Sequence, residues 1–338
     1  MGKRADANQN APAMTGRIVK AIAGFYFVEA GSGVYKRDSG GKACLTRQVY
    51  PCRARGIFRK RGQTPLVGDM VRFVPPSDGV LTGEGPGCPI PPEDFDSGVV
   101  VELLPRKNSL IRPPLANLDK LYIISSYENP APHTLVIDKL TAIADHKGIE
   151  PVLVFNKCDQ GDFSHWKRLY EGAGFCTYVV SAATGEGIPE LARSLSQGLH
   201  VFTGNSGVGK SSLLNRLFDG LGLATGEVSQ KLGRGRHTTR HVELYALEGG
   251  GYVADTPGFS SLDLERSELI RKEELPAAFR EFSDYLDSCR FTSCSHTGEK
   301  GCAVGRAVEE GRISRERYES YKTFYEQVKD IKDWQLPR

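Results

Sequence analysis

The chain has 338 residues, of which 39% are hydrophobic and 25% are charged, and its formal net charge is +3. That length exceeds what one ordinary hydrophobic core serves, so we expect two or three globular domains. The sequence lacks the run of about 18 to 20 apolar residues that a membrane helix needs, and its start, MGKRADANQN, lacks the apolar centre of a signal peptide. We therefore expect a cytoplasmic protein without a membrane partner.

Positive charge is concentrated near the start of the chain. Residues 1–61 contain thirteen Lys and Arg residues against the three acidic residues Asp6, Glu29 and Asp38. Such an excess favours a polyanionic partner, and a solvated basic face is the alternative.

The first folded region is predicted to be all-β. Residues 1–14 are polar and expected to be disordered. Over residues 15–108, short alternating or β-branched runs are separated by turns with Gly and Pro, which predicts a small antiparallel barrel. The Pro- and acid-rich stretch 75–97 is predicted as a surface loop. Four aromatic residues fit either base stacking or the barrel core: Phe25, Tyr26, Phe27 and Tyr35.

The pattern changes after residue 108. The apolar run LYIISS, the helical HTLVIDKLTAIADHKG and the second apolar run PVLVFNKCD form a strand, a helix and a strand. This order continues to about residue 278 and predicts an α/β domain with a mostly parallel sheet. Residues 279–338 are predicted to form a small helical domain that carries cysteines.

A phosphate-binding loop is predicted between a strand and a helix. GNSGVGKS matches G-x-x-x-x-G-K-[ST], follows the apolar run HVFT and opens the helical SSLLNRLF. Its backbone N–H groups would surround phosphate oxygens, Lys210 would reach the β- and γ-phosphates, and the Ser211 hydroxyl would bind Mg²⁺. A glycine-rich turn without a ligand is the alternative. The predicted contact residues are Gly204, Asn205, Ser206, Gly207, Val208, Gly209, Lys210, Ser211 and Ser212.

Two other strand ends predict guanine recognition. In NKCD, Asp159 can accept hydrogen bonds from guanine N1–H and its amino group, which adenine does not match. Lys157 would lie along the base and Asn156 would join this loop to the phosphate loop, with Cys158 completing the motif. SAATGEG fits a loop whose backbone N–H groups, at Ser181, Ala182 and Ala183, would donate to guanine O6. NKCD alone is also compatible with an ordinary turn.

Two downstream segments resemble GTPase switches. In YVADTPGF, Asp255 would hold Mg²⁺ and the Gly258 N–H would contact the γ-phosphate. In KLGRGRHTTRH, Thr239, or less favourably Thr238, would bind Mg²⁺ only when the γ-phosphate is present. KLGRGRHTTRH would be the first switch and YVADTPGF the second. A solvated basic loop is the alternative for KLGRGRHTTRH.

Slow intrinsic hydrolysis is predicted from the residue that follows Gly258. Phe259 occupies the position of the glutamine that orients the attacking water in Ras-like proteins. His237 is a candidate for positioning water, and a structural or RNA-contacting role is its alternative.

The motifs occur in a rotated order: base motif, second base loop, phosphate loop, first switch and second switch. This is a cyclic permutation of the usual GTPase order, which preserves the site when the original termini lie close together.

A metal site is predicted near the C-terminus. CRFTSCSHTGEKGC places three thiols and one imidazole where they can satisfy a tetrahedral Zn²⁺ without leaving a position for water, so the site would be structural. Reduced thiols beside a surface histidine are the alternative. The candidate ligands are Cys289, Cys294, His296 and Cys302.

The permuted order together with GNSGVGKSSLLN, GRGRHTTRH, DTPGF and CRFTSCSHTGEKGCAVGRAVEEGRI resembles the RsgA (YjeQ) family of bacterial GTPases. The resemblance covers nearly the whole chain and implies an N-terminal OB-fold, a circularly permuted GTPase domain and a C-terminal zinc domain. It also implies a role in late maturation of the small ribosomal subunit, which would stimulate GTP hydrolysis and thereby the release of the protein.

The resemblance carries further expectations about ligands and partners. We expect GTP or GDP, Mg²⁺ and one structural Zn²⁺, with the small ribosomal subunit and its rRNA as partners, no DNA partner and a monomeric chain. The stretch 75–97 is longer than the usual loop, and Gly207 replaces the Asn of potassium-dependent relatives, so no potassium ion is expected. The alternative is an RNA-binding assembly scaffold for which GTP is a structural ligand.

Overall fold

A computed structural model describes residues 12–37, 43–76, 95–220, 242–247, 250–256 and 260–332. Within these ranges, the side chains of residues 32–37, 43–47, 219–220 and 255 are not described. Most of the predicted disordered start and of the predicted loop 75–97 lies outside the described residues. So do Thr238, Thr239, His237, Gly258 and Phe259.

The N-terminal region forms a closed five-stranded barrel. Its strands are β1 Met14–Ile22, β2 Phe25–Arg37, β3 Ala43–Ala54, β4 Met70–Val74 and β5 Gly98–Leu103, with helix α1 Gly56–Lys60 between β3 and β4. The strand order is β1-β2-β3-β5-β4, and β4 closes the barrel by pairing with β1. Apolar side chains fill the interior, among them Ile18, Phe27, Val71, Phe73 and Val100.

The sequence predicts an antiparallel barrel, but β3 and β5 pair in parallel. Strands in a closed ring can alternate in direction only if their number is even. Five strands therefore force a parallel pair, and here it is β3 with β5, because the β3–β4 connection that carries α1 passes from β3 to the far side of β5.

A small hairpin, β6 Ser109–Leu110 and β7 Leu115–Ala116, leads into the α/β region. Its strands are β8 Lys120–Ser126, β9 Glu150–Asn156, β10 Cys176–Val180, β11 Leu199–Gly204, β12 Glu243–Ala246 and β13 Tyr252–Asp255. They lie in the order β10-β9-β8-β11-β13-β12, and all pairs are parallel except that of β12 with β13. β12 also pairs with β1, so the sheet continues into the barrel.

Helices cover both faces of the parallel strands. They are α2 Thr134–His146, α3 Ser164–Gly172, α4 Ile188–Arg193, α5 Lys210–Gly220 and α6 Ser261–Ser267. Side chains of α2, α3 and α6 belong to one buried cluster with Leu121 and Ile123, whereas those of α4 and α5 belong to a second with Tyr122 and Ile124. Successive residues of β8 thus point to opposite faces and are buried on both, which is typical of a continuous apolar run such as LYII.

The C-terminal region is helical, as predicted, and packs on α2. It contains the 3₁₀-helices Pro276–Ala278 and Arg280–Ser288 and the helices α7 Ala303–Glu309 and α8 Arg315–Val328. Apolar side chains of this region are buried at Ile313, Tyr321, Phe324 and Val328 and partly buried at Ile331.

A buried arginine joins this region to α2. Arg317 of α8 is 1% exposed and donates from Nη1 to Asp138 of α2 at 2.6 Å. Its other guanidinium nitrogens, Nη2 and Nε, donate to Glu281, Nη2 at 3.0 Å. Within the described residues, no helix combines the length and the apolar character needed to cross a bilayer.

Candidate nucleotide site and metal centre

The three predicted nucleotide loops meet at one edge of the parallel sheet. β8 lies between β9 and β11, and the chain leaves β8 for β9 on one side and later returns to β11 on the other. The carboxyl ends of strands at such a change of direction form a crevice that binds ligands in open α/β folds. The base motif follows β9, the second base loop follows β10 and the phosphate loop follows β11.

The phosphate loop is held by a buried side chain in its middle. β11 ends at Gly204 and α5 begins at Lys210. Between them, Val208 is 2% exposed and packs in the core on the α4 and α5 face, while Asn205, Ser206 and Gly207 are exposed. Lys210 and Ser211 are half-buried in the first turn of α5, where the backbone N–H groups favour an anion.

One side chain joins the three loops. Asn156 donates from Nδ2 to the carbonyl of Val208 at 2.9 Å and accepts at Oδ1 from the backbone N–H of Ala182 at 3.1 Å. Lys157 has a left-handed backbone, with φ of 66°, and its ammonium donates to the carbonyl of Gly207 at 2.8 Å. The phosphate loop and the two base loops are therefore fixed relative to one another.

The carboxylate that is predicted to recognise guanine is held by a neighbouring hydroxyl. Asp159 is exposed and lies in the 3₁₀ turn Cys158–Gln160, where its Oδ1 accepts a short hydrogen bond from the Ser181 hydroxyl. The same hydroxyl accepts from the backbone N–H of Thr184 at 3.1 Å. Ser181 is fully buried, and its bond occupies one of the two carboxylate oxygens of Asp159.

The remaining residues predicted to contact the nucleotide differ in their exposure and in whether the structure describes them. Cys158 is half-buried and packs against the core, Ala182 is half-buried and Ala183 and Ser212 are exposed. Asp255 is the last residue of β13, the strand next to β11. Thr239, His237 and Gly258 lie outside the described residues, so their predicted contacts are not placed.

A further loop borders this site, and the sequence analysis did not predict it. It follows β8, and its Glu128 carbonyl accepts from Lys157 Nζ at 3.4 Å. The Asn129 carbonyl lies 3.0 Å from the position that a Cβ on Gly207 would take. The Ser126 hydroxyl closes the loop by donating to the Pro130 carbonyl at 3.0 Å. The one feature of the sequence that could have indicated this loop is its position, because YENP directly follows a central buried strand.

The four predicted zinc ligands come together. The ligand atoms of Cys289, Cys294, His296 and Cys302 lie within 4.8 Å of one another. His296 Nδ1 is 3.5 Å from Cys289 Sγ and 3.6 Å from Cys302 Sγ. Backbone N–H groups donate to two of the sulfurs, from Ala303 to Cys289 at 3.2 Å and from Gly305 to Cys302 at 3.3 Å. Such donors favour thiolates, which are the form that binds a metal.

Protonation at this cluster fits a bound cation. Burial raises the pKa of the Cys294 thiol to about 12, and burial lowers the pKa of His296. The imidazole is therefore neutral and able to ligate, whereas a thiolate at Cys294 needs a positive charge beside it. The donor set fits a metal ion.

Glu299 organises the loop of residues 295–298 that carries His296, which we call the metal loop. The sequence analysis did not predict this role. Burial would raise its pKa, but hydrogen bonds from Ser295 and from backbone N–H groups lower it to about 2. Its oxygens accept from Ser295 N at 2.7 Å, Thr297 N at 2.9 Å and Gly298 N at 3.2 Å. These bonds hold the turn at His296, whose φ is 58°.

Comparison with known proteins identifies the family. The model of the RsgA GTPase family matches residues 103–265, and that of the RsgA N-terminal domain matches residues 45–80. A protein named small ribosomal subunit biogenesis GTPase RsgA from Caldanaerobacter subterraneus subsp. tengcongensis is 42% identical over 318 residues, 93% of this chain and 96% of the relative. Its namesake from Geobacillus sp. strain WCH70 is 41% identical over 323 residues, 94% of this chain and 98% of the relative.

Solved structures agree. The crystal structure of YjeQ from Thermotoga maritima is 30% identical with a TM-score of 0.70, covering 95% of this chain and 100% of that chain. That of YloQ, described as a circularly permuted GTPase, is 30% identical with a TM-score of 0.70, covering 99% and 100%. These findings confirm the predicted resemblance, the fold class of barrel, permuted GTPase domain and C-terminal cysteine-histidine region, and the GTPase activity. The chain belongs to the RsgA family of GTPases.

Proposed function

We propose that this chain acts in late maturation of the small ribosomal subunit, that it hydrolyses GTP slowly alone and faster on the subunit, and that hydrolysis releases it. The carrying observation is that Asn156 joins three loops which together suit a guanine nucleotide. The relatives are named for small-subunit biogenesis over nearly their whole length, which supports the subunit as the partner. The domain limits 15–108, 109–278 and 279–338 and a cytoplasmic, monomeric state belong to this proposal.

Guanine selection would come from Asp159. Its free carboxylate oxygen, together with the oxygen that Ser181 holds, would accept hydrogen bonds from guanine N1–H and the exocyclic amino group. Charge-assisted hydrogen bonds contribute about 1.5–3 kcal/mol each, so the pair favours guanine over adenine by on the order of a hundredfold or more. The Lys157 stem would lie along the base, because its ammonium is tied to the Gly207 carbonyl.

Phosphate binding would use the loop from Gly204 to Ser212. Backbone N–H groups of the loop would surround the α- and β-phosphates, and Lys210 would balance charge on the β- and γ-phosphates. Ser211, Thr239 and Asp255 would hold Mg²⁺, which supplies positive charge to the phosphate oxygens during transfer. The Gly258 N–H would contact the γ-phosphate.

Slow intrinsic turnover follows from the residue at position 259. Phe259 has no polar atom to orient the attacking water. His237 is the proposed group for positioning water, and ordering of its basic segment on rRNA would explain stimulation by the subunit. Without that ordering, the attacking water lacks a fixed position and the entropic part of the barrier stays high.

The metal centre would bind one structural Zn²⁺. Three sulfurs and one imidazole nitrogen match the Cys₃His set of closed tetrahedral zinc sites, and hard cations such as Mg²⁺ prefer oxygen ligands. Four protein ligands leave no position for water, so the ion would stabilise the C-terminal region without taking part in hydrolysis.

The test is multiple-turnover phosphate release from GTP, titrated with purified small subunits. We expect a low basal rate that rises with subunit concentration and saturates, and faster dissociation from the subunit with GTP than with a non-hydrolysable analogue. Lys210→Ala controls for contaminating phosphatases, because it removes the phosphate contact. Rates that stay equal with and without subunits would instead favour the scaffold alternative, in which GTP is a structural ligand.

A further inference from the structure

The loop that follows β8 brings an aromatic ring to the base motif. Tyr127 is half-buried, and its ring lies against the backbone of Gly161, two residues after Asp159. A Cβ atom on residue 161 would lie 2.1 to 2.4 Å from three carbons of that ring, so no side chain fits there. Gly161 has an extended backbone with a φ of 172°, which any residue adopts. The ring, and not the backbone conformation, therefore requires glycine at this position.

The same ring packs on the hydrophobic core. Its centroid lies 5.6 Å from that of Phe163 and the two planes meet at 87°, which is an edge-to-face arrangement that aromatic pairs prefer. Phe163 is 2% exposed and stacks on Phe155 of β9, with 5.1 Å between the ring centroids. Tyr127 thus connects Gly161 to buried aromatic residues on which the start of α3 is packed.

The turn that carries Asp159 is exposed at its middle. The side chains of Asp159 and Gln160 are both exposed, so burial in the core does not hold them. The backbone N–H of Gln160 closes the turn by donating to the Lys157 carbonyl at 3.0 Å. Beyond Gly161 the chain passes through the exposed Asp162 before it reaches the core again. The contact between the Tyr127 ring and Gly161 therefore fixes this turn between its two buried ends.

The backbone on both sides of Tyr127 is itself fixed. The hydroxyl of the fully buried Ser126 donates to the Glu128 carbonyl at 3.2 Å. The Lys157 ammonium lies 3.4 Å from the same carbonyl and 2.8 Å from the carbonyl of Gly207 in the phosphate loop. A side chain whose backbone is held in this way loses little further freedom when it supports a neighbouring turn. Tyr127 therefore belongs to a frame that includes the phosphate loop.

From these contacts we propose that Tyr127 is a positioning residue for guanine recognition. Its ring holds the turn from Cys158 to Gly161, so that the Asp159 carboxylate faces the base in one fixed place. The inference rests on the proposed function, in which Asp159 accepts hydrogen bonds from guanine N1–H and from the exocyclic amino group. Hydrogen bonds weaken steeply when their geometry is lost. A turn released from the ring should therefore lose guanine selection while the phosphate loop keeps its own affinity.

Three nucleoside diphosphates report on the two hydrogen bonds of Asp159. GDP can form both, inosine diphosphate lacks the exocyclic amino group and can form only the bond from N1–H, and ADP offers neither. The ribose and the two phosphates are the same in all three, so a ratio of dissociation constants reports recognition of the base alone. The ratio for GDP and inosine diphosphate reports the bond from the amino group, and the ratio for GDP and ADP reports both bonds.

Two variants break the contact from opposite sides. Tyr127→Ala removes the ring, and Gly161→Ala displaces it, because the methyl group needs the space that the ring occupies. Each should weaken GDP binding about 10-fold more than ADP binding, since one charge-assisted hydrogen bond is worth about a factor of ten. Tyr127→Phe keeps the ring and should retain the selectivity of the unmodified chain. The matched controls are Tyr325→Ala, at a half-buried tyrosine of α8, and Gly172→Ala, where a Cβ atom meets nothing within 4 Å.

The double variant of Tyr127→Ala with Gly161→Ala tests the contact itself. Once the ring is gone, a methyl group on residue 161 has room, so Gly161→Ala should cost almost no further GDP affinity in the Tyr127→Ala chain. Independent effects of the two changes would instead multiply. Calorimetry on the full chain measures the dissociation constants. Gly161→Ala leaves every large side chain in place, so it tests the contact even if loss of the ring prevents folding.

The outcomes separate the two proposals. If the unmodified chain binds GDP and ADP equally well, the proposed recognition of guanine by Asp159 fails. If it prefers GDP, and both Tyr127→Ala and Gly161→Ala keep the full preference, the inference about Tyr127 fails alone. An equal loss of affinity for all three diphosphates would also overturn it, because Tyr127 would then support the fold without positioning the carboxylate.

Discussion

Asn156 and Gly209 touch so closely that a Cβ atom on residue 209 would lie 2.5 Å from Asn156 Nδ2. Gly209 has a φ of 84°, a backbone conformation that residues with a side chain rarely adopt. Two features thus require glycine at position 209, which precedes the predicted phosphate-binding residue Lys210: the backbone conformation there, and the Asn156 side chain that joins the base motif to the phosphate loop.

Gly209→Ala should weaken binding of both GTP and GDP at least 10-fold, because the methyl group must displace either Asn156 or the loop. Nucleotide affinity by calorimetry measures this effect. Gly172→Ala is the matched control, since a Cβ there meets no heavy atom within 4 Å at the end of α3. Equal affinities for the Gly209 variant and the control would contradict the close contact.

Asp159→Asn should change the base preference from guanine to xanthine. The amide can donate to the carbonyl at position 2 of xanthine but no longer accepts two hydrogen bonds from guanine, so GTP affinity should fall about 100-fold and xanthosine triphosphate should bind better. Ser181→Ala should give a smaller loss without the exchange, because it removes only the hydroxyl that holds the carboxylate. Competition with GTP, ATP and xanthosine triphosphate measures all three affinities. Unchanged GTP binding would remove the base-recognition argument.

Local sequence was sufficient to predict that the three motifs meet, because each motif lies at the end of a strand. NKCD, SAATGEG and GNSGVGKS each follow an apolar run, and parallel strands bring such ends to one edge. Their rotated order did not matter, because the sheet places β9 and β11 on either side of β8 regardless of the chain's starting point.

Other features depend on distant partners and could not be predicted. Arg317 lies in RERYES, which resembles a solvated charged helix, and only packing against α2 shows that it is buried. Glu299 resembles a surface acid in the polar sequence SHTGEKG, yet it closes the metal loop. The parallel pairing of β3 with β5 follows from barrel closure, which no single strand encodes.

Metal removal should affect the C-terminal region. We expect about one zinc per chain in the unmodified protein and loss of the metal in Cys302→Ser, because a hydroxyl is a poor zinc ligand. Cys176→Ser, at an exposed cysteine outside the cluster, is the control. Metal analysis and hydrogen exchange over residues 280–328 measure the outcome. Full zinc content in the Cys302 variant would show that the four residues do not form the site.

Acid should destabilise the protein through His200. Burial, reinforced by the positive charge of Lys120, lowers the pKa of this imidazole from 6.5 to about 4. The unfolded chain then takes up the proton first, so the stabilisation is complete above pH 6.5 and is lost as pH falls toward 4. The loss between pH 7.5 and pH 5 is about 2 kcal/mol. Urea unfolding of His200→Phe should show a pH difference smaller by that amount, and an equal difference would refute the assignment.

Arg317→Met should lower the free energy of unfolding strongly, because it leaves the buried carboxylates of Asp138 and Glu281 without their cation. Breaking a buried pair from one side typically costs about 3–5 kcal/mol. Arg315→Met is the control: it lies two residues earlier on the same helix and is exposed, so its effect should stay within about 0.5 kcal/mol. Urea unfolding measures both.

A second substitution separates lost charge pairing from lost packing at Arg317. The guanidinium also lies over the rings of Phe175 and Phe279 at 4.9 and 5.3 Å, so some of the cost is loss of these contacts. Adding Asp138→Asn to Arg317→Met removes one buried charge without restoring the ring contacts. Partial recovery of stability in the double variant would therefore assign that part of the cost to the uncompensated carboxylate, whereas a further loss would assign the cost to packing and to the hydrogen bonds of Asp138 itself.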